Sequence, residues 1–263
     1  MRYHVTLILL LFTLLSNGFS AENKALISLT LTADTLELAV GNTTSLHVNA
    51  TYQDATTKPL TTNLQWSIDD TTKASITGTT LTALKEGTTA LHVNQNTITS
   101  NILHVTVYKT INGHRLPPEP DETLNNSTLL GIDTNNNGVR DDVERKIYTT
   151  FTRPIEQAVA MQYARNYTVA LSTPLERDKA RSASRNEKAT DCYIFLRFNL
   201  KIPIYDSPLK FAKEATLNTK DRIRRYFDFD LLLSGGIYTG KRAKDLNASY
   251  CDFNVTKMLE MGQ

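Results

Sequence analysis

This 263-residue chain predicts a multidomain protein, an all-β sandwich followed by an all-α helical domain. Three observations lead there. Apolar and polar residues alternate at period two, in short runs separated by turn residues, from residue 26 to residue 107. Pro117, Pro118 and Pro120 then interrupt any regular element. Beyond Val139 the apolar positions recur every four residues, as on one face of a helix.

The first twenty residues read as a secretory signal peptide. Arg2 supplies a positive start, VTLILLLFTLL (5–15) an apolar stretch, and Gly18-Phe19-Ser20 small residues before a cleavage point. That stretch falls short of the roughly 18 apolar residues of a membrane helix, and no other segment approaches that length. No Cys follows it directly, which argues against lipid attachment. The expectation is a soluble, exported protein, periplasmic or extracellular, with no transmembrane segment. A formal charge of +2 conceals a division along the chain. Residues 22–110 hold 5 basic and 7 acidic side chains, residues 111–144 hold 2 and 7, and residues 145–263 hold 21 and 13. Net charge therefore runs −2, −5 and +8, the pattern of two domains with an acidic joint.

Within 21–110 the alternating runs are LISLTLT (26–32), SLHVNATY (45–52), LQWSI (64–68), ASIT (74–77), TALHVN (89–94) and ILHVTV (102–107). Gly41-Asn42, Lys58-Pro59, Asp69-Asp70, Gly78, Gly87 and Gln95-Asn96 separate them. The stretches LTLTADTLELAVGNTTSLHV (29–48), QWSIDDTTKASITGTTLTALKEGTTALHV (65–93) and LHVTV (103–107) resemble the bacterial Ig-like domains of group 2. Trp66 falls at that family's core tryptophan and Gly87 before its penultimate strand. The resemblance spans about a third of the chain and implies a small two-sheet sandwich used as a spacer or adhesive module. Leu-His-Val recurs at 46–48, 91–93 and 103–105, and with Leu and Val facing inward, His47, His92 and His104 face out. His92 and His104 as cross-strand neighbours would supply two imidazoles, too few for zinc.

Residues 111–132, INGHRLPPEPDETLNNSTLLGI, read as a Pro-rich, semi-rigid linker. The domain at 145–263 follows. Val143, Ile147 and Phe151 mark one helix, and Ile155, Val159 and Tyr163 a second that starts at Pro154, with Thr152 or Arg153 as its cap. Thr173-Pro174-Leu175-Glu176 has the form of a capping box and predicts a long helix to about Phe198. Asp206-Ser207-Pro208 opens another, and Thr219-Lys220-Asp221 opens one that stops at Gly235-Gly236. A last helix is expected over about 241–260. Export places Cys192 and Cys251 in an oxidising compartment, where a disulfide joining the long helix to the last one is expected.

Between linker and helices lies GIDTNNNGVRDDVERKI (131–147). A calcium loop of the EF-hand type needs oxygen ligands at positions 1, 3, 5, 7, 9 and 12 and Gly at 6. Counting from Asp133, those positions are Asp133, Asn135, Asn137, the Val139 carbonyl, Asp141 and Glu144, with Gly138 at the sixth. The stretch 133–144 resembles the calcium-binding loop of EF-hands, and more closely the Asp/Asn-rich loops of bacterial surface proteins. It departs from an EF-hand in having only Leu129-Leu130-Gly131-Ile132 where an entering helix would stand, and Arg140 at the usually apolar eighth position. The metal expected is Ca²⁺ at a single weak site, with a dissociation constant on the order of 10⁻⁴–10⁻³ M.

No catalytic constellation emerges. Ser234 lacks the upstream glycine of a nucleophile elbow, Asp228 and Asp230 are two apart on a helix and diverge, and residues 145–263 contain no His. Basic runs at 177–188, 220–225 and 240–244 are wet helix faces or one anion-binding surface. The function expected is binding or adhesion at the cell envelope, to a glycan, a protein or an anionic surface; export argues against nucleic acid. The alternative is an envelope enzyme or enzyme regulator whose helical domain does the work.

Overall fold

The computed structural model describes residues 24–204, 207–236 and 241–262; the signal peptide expected at 1–20 lies outside the described residues. A β region over 26–115 is followed by a helical region over 122–260. The strands are β1 (Leu26–Ala33), β2 (Glu37–Ala39), β3 (Thr43–Tyr52), β4 (Thr57–Leu60), β5 (Gln65–Ile68), β6 (Ala74–Thr77), β7 (Thr80–Ala83), β8 (Gly87–Gln95), β9 (Ile98–Thr99) and β10 (Leu103–Tyr108). Strand β3 buries every second residue, Thr44, Leu46, Val48 and Ala50, because a strand's side chains alternate between faces.

Two five-stranded sheets result. One runs β1-β3-β7-β6 with β4 also on β3; the other runs β2-β10-β8-β5 with β9 also on β8. Only the β2–β10 pairing is parallel among these strands. Leu31, Leu46 and Val48 from the first sheet and Leu91, Val93 and Val105 from the second share one core. Each such burial contributes about 2 kcal/mol relative to exposure. The short strands β2, β4, β7 and β9 fall outside the alternating runs, being too brief for a period to show.

Trp66 departs from expectation. It sits on the edge strand β5 and packs against the core while only half-buried. His47 and His104 are exposed, and the register sets His104 opposite Ala90 and His92 opposite Ser67, so the two are not directly paired.

The linker is more structured than its prolines suggest. β11 (Thr110–Ile111) and β12 (His114–Arg115) form a hairpin across Asn112-Gly113, both with positive φ. Asn-Gly is the pair such two-residue turns select. After a short Pro-rich passage, α1 (Glu122–Asn126) begins where the Asp121 side chain accepts the Leu124 N–H.

The helices that follow are α2 (Asp141–Thr150), α3 (Pro154–Ser172), α4 (Arg177–Arg185), α5 (Ala189–Ile194), α6 (Ser207–Thr216), α7 (Lys220–Leu233) and α8 (Val255–Glu260). Val143, Ile147, Phe151, Ile155, Val159 and Tyr163 are all buried in one core, as the four-residue recurrence requires. Pro154 is the first residue of α3 with Arg153 as its cap, and Thr219 caps α7 by accepting the Arg222 N–H. Asp206 lies outside the described residues.

Two helix expectations need correction. Thr173 closes α3, its hydroxyl donating to the Val169 carbonyl, so it is not free to cap α4. The long helix is instead α4 and α5, separated at Asn186–Lys188, with a π-helical turn at Phe195–Asn199. Glu187 accepts the Thr190 N–H and so restarts the chain as α5. At the C-terminal end, Asn247 and Asn254 each accept a backbone N–H two or three residues on. That local bonding breaks the expected 241–260 helix into 3₁₀ turns at Ala243–Asp245 and Ala248–Tyr250, followed by α8.

Cys192, on α5, and Cys251, just after the second 3₁₀ turn, form a disulfide with a Cα–Cα distance of 4.9 Å. None of the described helices is long and apolar enough to cross a membrane. The bridge closes a loop with a sequence separation of 59, worth roughly 4 kcal/mol in the chain-entropy account. Thiol titration of the denatured, unreduced protein should give no reaction, and two reactive thiols per chain would contradict the bridge.

Candidate metal centre

The loop from Asp133 to Glu144 is wound by its own side chains. Asp133 accepts the Asn137 N–H at 3.1 Å and the Gly138 N–H at 2.9 Å through its two oxygens. Asn135 Oδ1 accepts the Asn137 N–H at 3.1 Å, and Asn137 Oδ1 accepts the Val139 N–H at 2.8 Å. Gly138 has φ +81°, the left-handed conformation the sixth position of such a loop demands.

Glu144 lies at the centre. Its side chain is fully buried, on the first turn of α2. Oε2 accepts from Asn137 Nδ2 at 2.5 Å and Asn135 Nδ2 at 3.2 Å, while Oε1 accepts from His114 Nε2 at 2.5 Å. The His114 ring stacks on Tyr148, one turn further along α2, at 4.0 Å between centroids. Burial would push the Glu144 carboxyl up, but the hydrogen bonds from His114, Asn137 and Asn135 outweigh it and hold the group below its ordinary value. His114 is a site residue that sequence reasoning missed. An Asn-Gly turn directly before it was the available signal, since it folds the supposed linker back as a hairpin.

Asp141 is also buried and both its oxygens accept the Thr134 N–H, at 3.0 and 3.2 Å. Burial raises its pKa, and the charges of Asp133 and Glu144 add to the shift. The carboxylates of Asp133 and Glu144 are thus close enough to oppose the ionisation of Asp141. Val139 turns its side chain into the helical core.

The residues of the sequence motif therefore lie together in one loop, with Asn135 and Asn137 turning Nδ2 to Glu144 and Oδ1 to backbone N–H groups; a hard cation such as calcium would need those oxygens turned to it. Among the described residues no three Asp, Glu, His or Cys side chains are grouped to hold a metal by themselves. An ion here would depend on the Asn135 and Asn137 amide oxygens and the Val139 carbonyl. The carboxylate repulsion at Asp141 is the feature a cation would relieve.

The non-ligand positions bind the loop to everything around it. Arg140 is buried, pairs with Asp142 at 2.5 Å, and donates to the carbonyls of Ala215 and Thr216 and to Asn218 Oδ1. Gly131 makes room for it, because a Cβ there would lie 2.2 Å from the Arg140 side chain. Arg145 reaches Glu86 of the β region at 2.6 Å, Glu119 at 2.5 Å and the Pro117 carbonyl at 2.7 Å. Arg222 is wholly buried and, among the described residues, donates only to neutral oxygens, those of Asn125, Asn126, Thr128, Leu129 and Asn218. Burial, with the charge of Arg140 second, draws its pKa down to about 10. Within 220–225, Arg222 is inside and Arg225 is bonded to the Thr173 carbonyl, while Lys220 and Arg224 are exposed. Arg177, Lys179, Arg185 and Lys188 remain exposed.

No family model matches the chain, and no curated protein matches it. Among solved structures it is similar to surface layer protein SbsC, domains 1–6, at 19% identity over 34% of this chain and 14% of that one, with a TM-score of 0.28. The S-layer protein rSbsC(31-844) matches at 20% identity over 32% of this chain and 13% of that one, TM-score 0.27. SbsC domains 4 and 5 match at 21% identity over 32% and 53%, TM-score 0.26. The chain thus spans about 14% of the length of the first of these structures.

Glu144→Gln should weaken calcium binding by at least tenfold in calorimetry, on the order of the 1–3 kcal/mol attached to a charged ligand. Asp142→Asn should instead leave calcium affinity unchanged and lower stability by about 3 kcal/mol, because it strips a buried Arg140 of its counter-charge. Equal effects of the two substitutions on affinity would contradict this division.

Asp142, like Glu144, is held below its ordinary value: burial opposes ionisation, but the Arg140 hydrogen bond and charge prevail. Depressed carboxylates stabilise above their unfolded pKa of about 4 and lose that contribution as pH falls through the folded value. Metal-free protein should therefore lose stability at these two groups only below about pH 4; a loss centred between pH 5 and 7 would count against the assignment.

Proposed function

We propose that this chain is an exported cell-envelope binding protein in which a bacterial Ig-like module of group 2 and a helical domain are held together at a calcium-binding joint. The observation that supports the joint most directly is Glu144. One oxygen of this buried carboxylate faces the Asn ligands of the loop, and the other faces His114 of the hairpin leading from the β region. A cation at Asp133, Asn135, Asn137, Val139, Asp141 and Glu144 would set the first turn of α2. Arg145 on that same turn grips Glu86 and the Pro117 carbonyl. Binding at the loop is in this way coupled to the contact between the two regions.

Two packed sheets around a single core, with Gly87 opening β8, support the Ig-like assignment. The same resemblance supports a spacer or adhesive role, and the exposed Arg177, Lys179, Arg185 and Lys188 suit an anionic surface, glycan or protein as partner. The reading as an envelope enzyme or enzyme regulator is favoured by one feature, a half-open cleft in the helical region lined by Glu187 and Asp230.

Calorimetry and small-angle scattering with and without millimolar calcium test the proposal. Binding should add about 1.4 kcal/mol of stability at tenfold excess over the dissociation constant and narrow the distribution of interdomain distances. Absence of binding heat would remove the metal. Heat with unaltered scattering would keep the site and discard its role as a joint.

A further inference from the structure

The half-open cleft in the helical region has a volume of about 400 Å³, within the range of small-ligand sites. Helices α3, α4 and α7 and the start of α5 enclose it. Its lining runs against its surroundings in charge. Residues 145–263 hold 21 basic and 13 acidic side chains, yet among the described residues the cleft is lined by Glu187 and Asp230 and by no Lys, Arg or His. Three tyrosines, Tyr163, Tyr167 and Tyr226, form its aromatic wall, with Tyr167 and Tyr226 edge to face at 5.7 Å.

The carboxylates are placed to serve a ligand. Glu187 Oε1 accepts from Asn166 Nδ2 and from the Thr190 N–H at 3.1 Å, which fixes the side chain and leaves Oε2 without a partner among the described residues. Asp230 has no ion pair among the described residues. The tyrosines stay neutral: burial pushes Tyr167 up to about 12, with Tyr226 and Glu187 contributing, and burial likewise raises Tyr226, with Asp230 contributing. Neutral phenol rings present a negative π face, and with two carboxylates beside them they attract a cation. Tyr226 already holds the ammonium of Lys213 5.3 Å from its ring centroid, where it borders the adjoining cleft that Lys213 lines.

We infer that this cleft binds a small organic cation, an amine or quaternary ammonium group seated against Tyr163, Tyr167 and Tyr226 and neutralised by Glu187 and Asp230. A neutral polyol could use the same amides and hydroxyls, but nothing in a polyol calls for two carboxylates in a lining that holds no Lys, Arg or His among the described residues. An anion is repelled by the same lining.

The test titrates the full chain by calorimetry with choline, with ethanolamine and with 3,3-dimethylbutan-1-ol, the uncharged isostere of choline, against a sodium chloride blank. One or both cations should bind, and the alcohol should bind at least about fivefold more weakly. The tighter of the two cations identifies the ammonium as quaternary or primary. Glu187→Gln keeps the Oε1 acceptor and Asp230→Asn alters an exposed position, so both variants should melt as the parent does. Each should weaken cation binding by roughly fivefold or more. Equal affinity for the alcohol, unchanged cation affinity in the double variant with an unchanged melt, or no binding heat from any of the three compounds would overturn the inference.

Discussion

The first turn of α2 is the constraint on which the rest of the structure hangs. Within six residues, Arg140 to Arg145, it presents two cations and three carboxylates, of which Arg140, Asp141 and Glu144 are almost wholly removed from water. Charges so placed are tolerated only when every one is met by a partner of opposite sign or by oriented dipoles. Those partners come from four different parts of the chain. Arg140 takes the end of α6 and the turn after it, Asp141 the loop backbone, Glu144 the β11–β12 hairpin, and Arg145 the edge of the β region. Each of these partners meets part of a charge that is partly or wholly buried, so the elements that supply them are tied to this turn.

Arg222 extends the same logic without a carboxylate. Its guanidinium is satisfied by backbone and amide oxygens from 125–129 and by Asn218, a set of dipoles standing in for a counter-ion. The consequence is architectural: the segment from α1 to Ile132 is anchored on α7 and belongs with the helical region. An acidic, Pro-containing stretch that would otherwise be a connector is drawn onto the helices by one long cationic side chain. The planar fork of Arg suits this task, since it meets several carbonyls at once where a lysine would meet fewer.

These two buried arginines also account for how charge is sorted. Cations that appear in the sequence as one basic excess divide into interior ties and exposed side chains, and the tyrosine-walled cleft receives carboxylates alone. A net charge summed over the region describes none of these three environments. The field at the cleft is dominated by the few groups that line it, because Coulomb interaction falls with distance and low-dielectric walls focus the field of the lining carboxylates into the cleft.

Local regularity was legible in the sequence where a run was long enough to show its period. Alternation placed β1, β3, β6, β8 and β10, and recurrence at Val143, Ile147, Phe151, Ile155, Val159 and Tyr163 placed the core face of α2 and α3, because a strand's and a helix's periods are properties of neighbouring residues. The pairing of the two cysteines was legible for a different reason, since an oxidising compartment leaves each a single partner. Helix ends were less so: Thr173 had two carbonyl and N–H groups to choose between, and only the packed chain shows that it closes α3 instead of opening α4. Contacts across long separations, the disulfide excepted, were not legible. His114 on Glu144 spans 30 residues and Arg222 on Asn125 spans 97, and no spacing rule links such positions. Tertiary packing alone decided them, because a polar side chain takes its role from the groups that folding brings within hydrogen-bond reach.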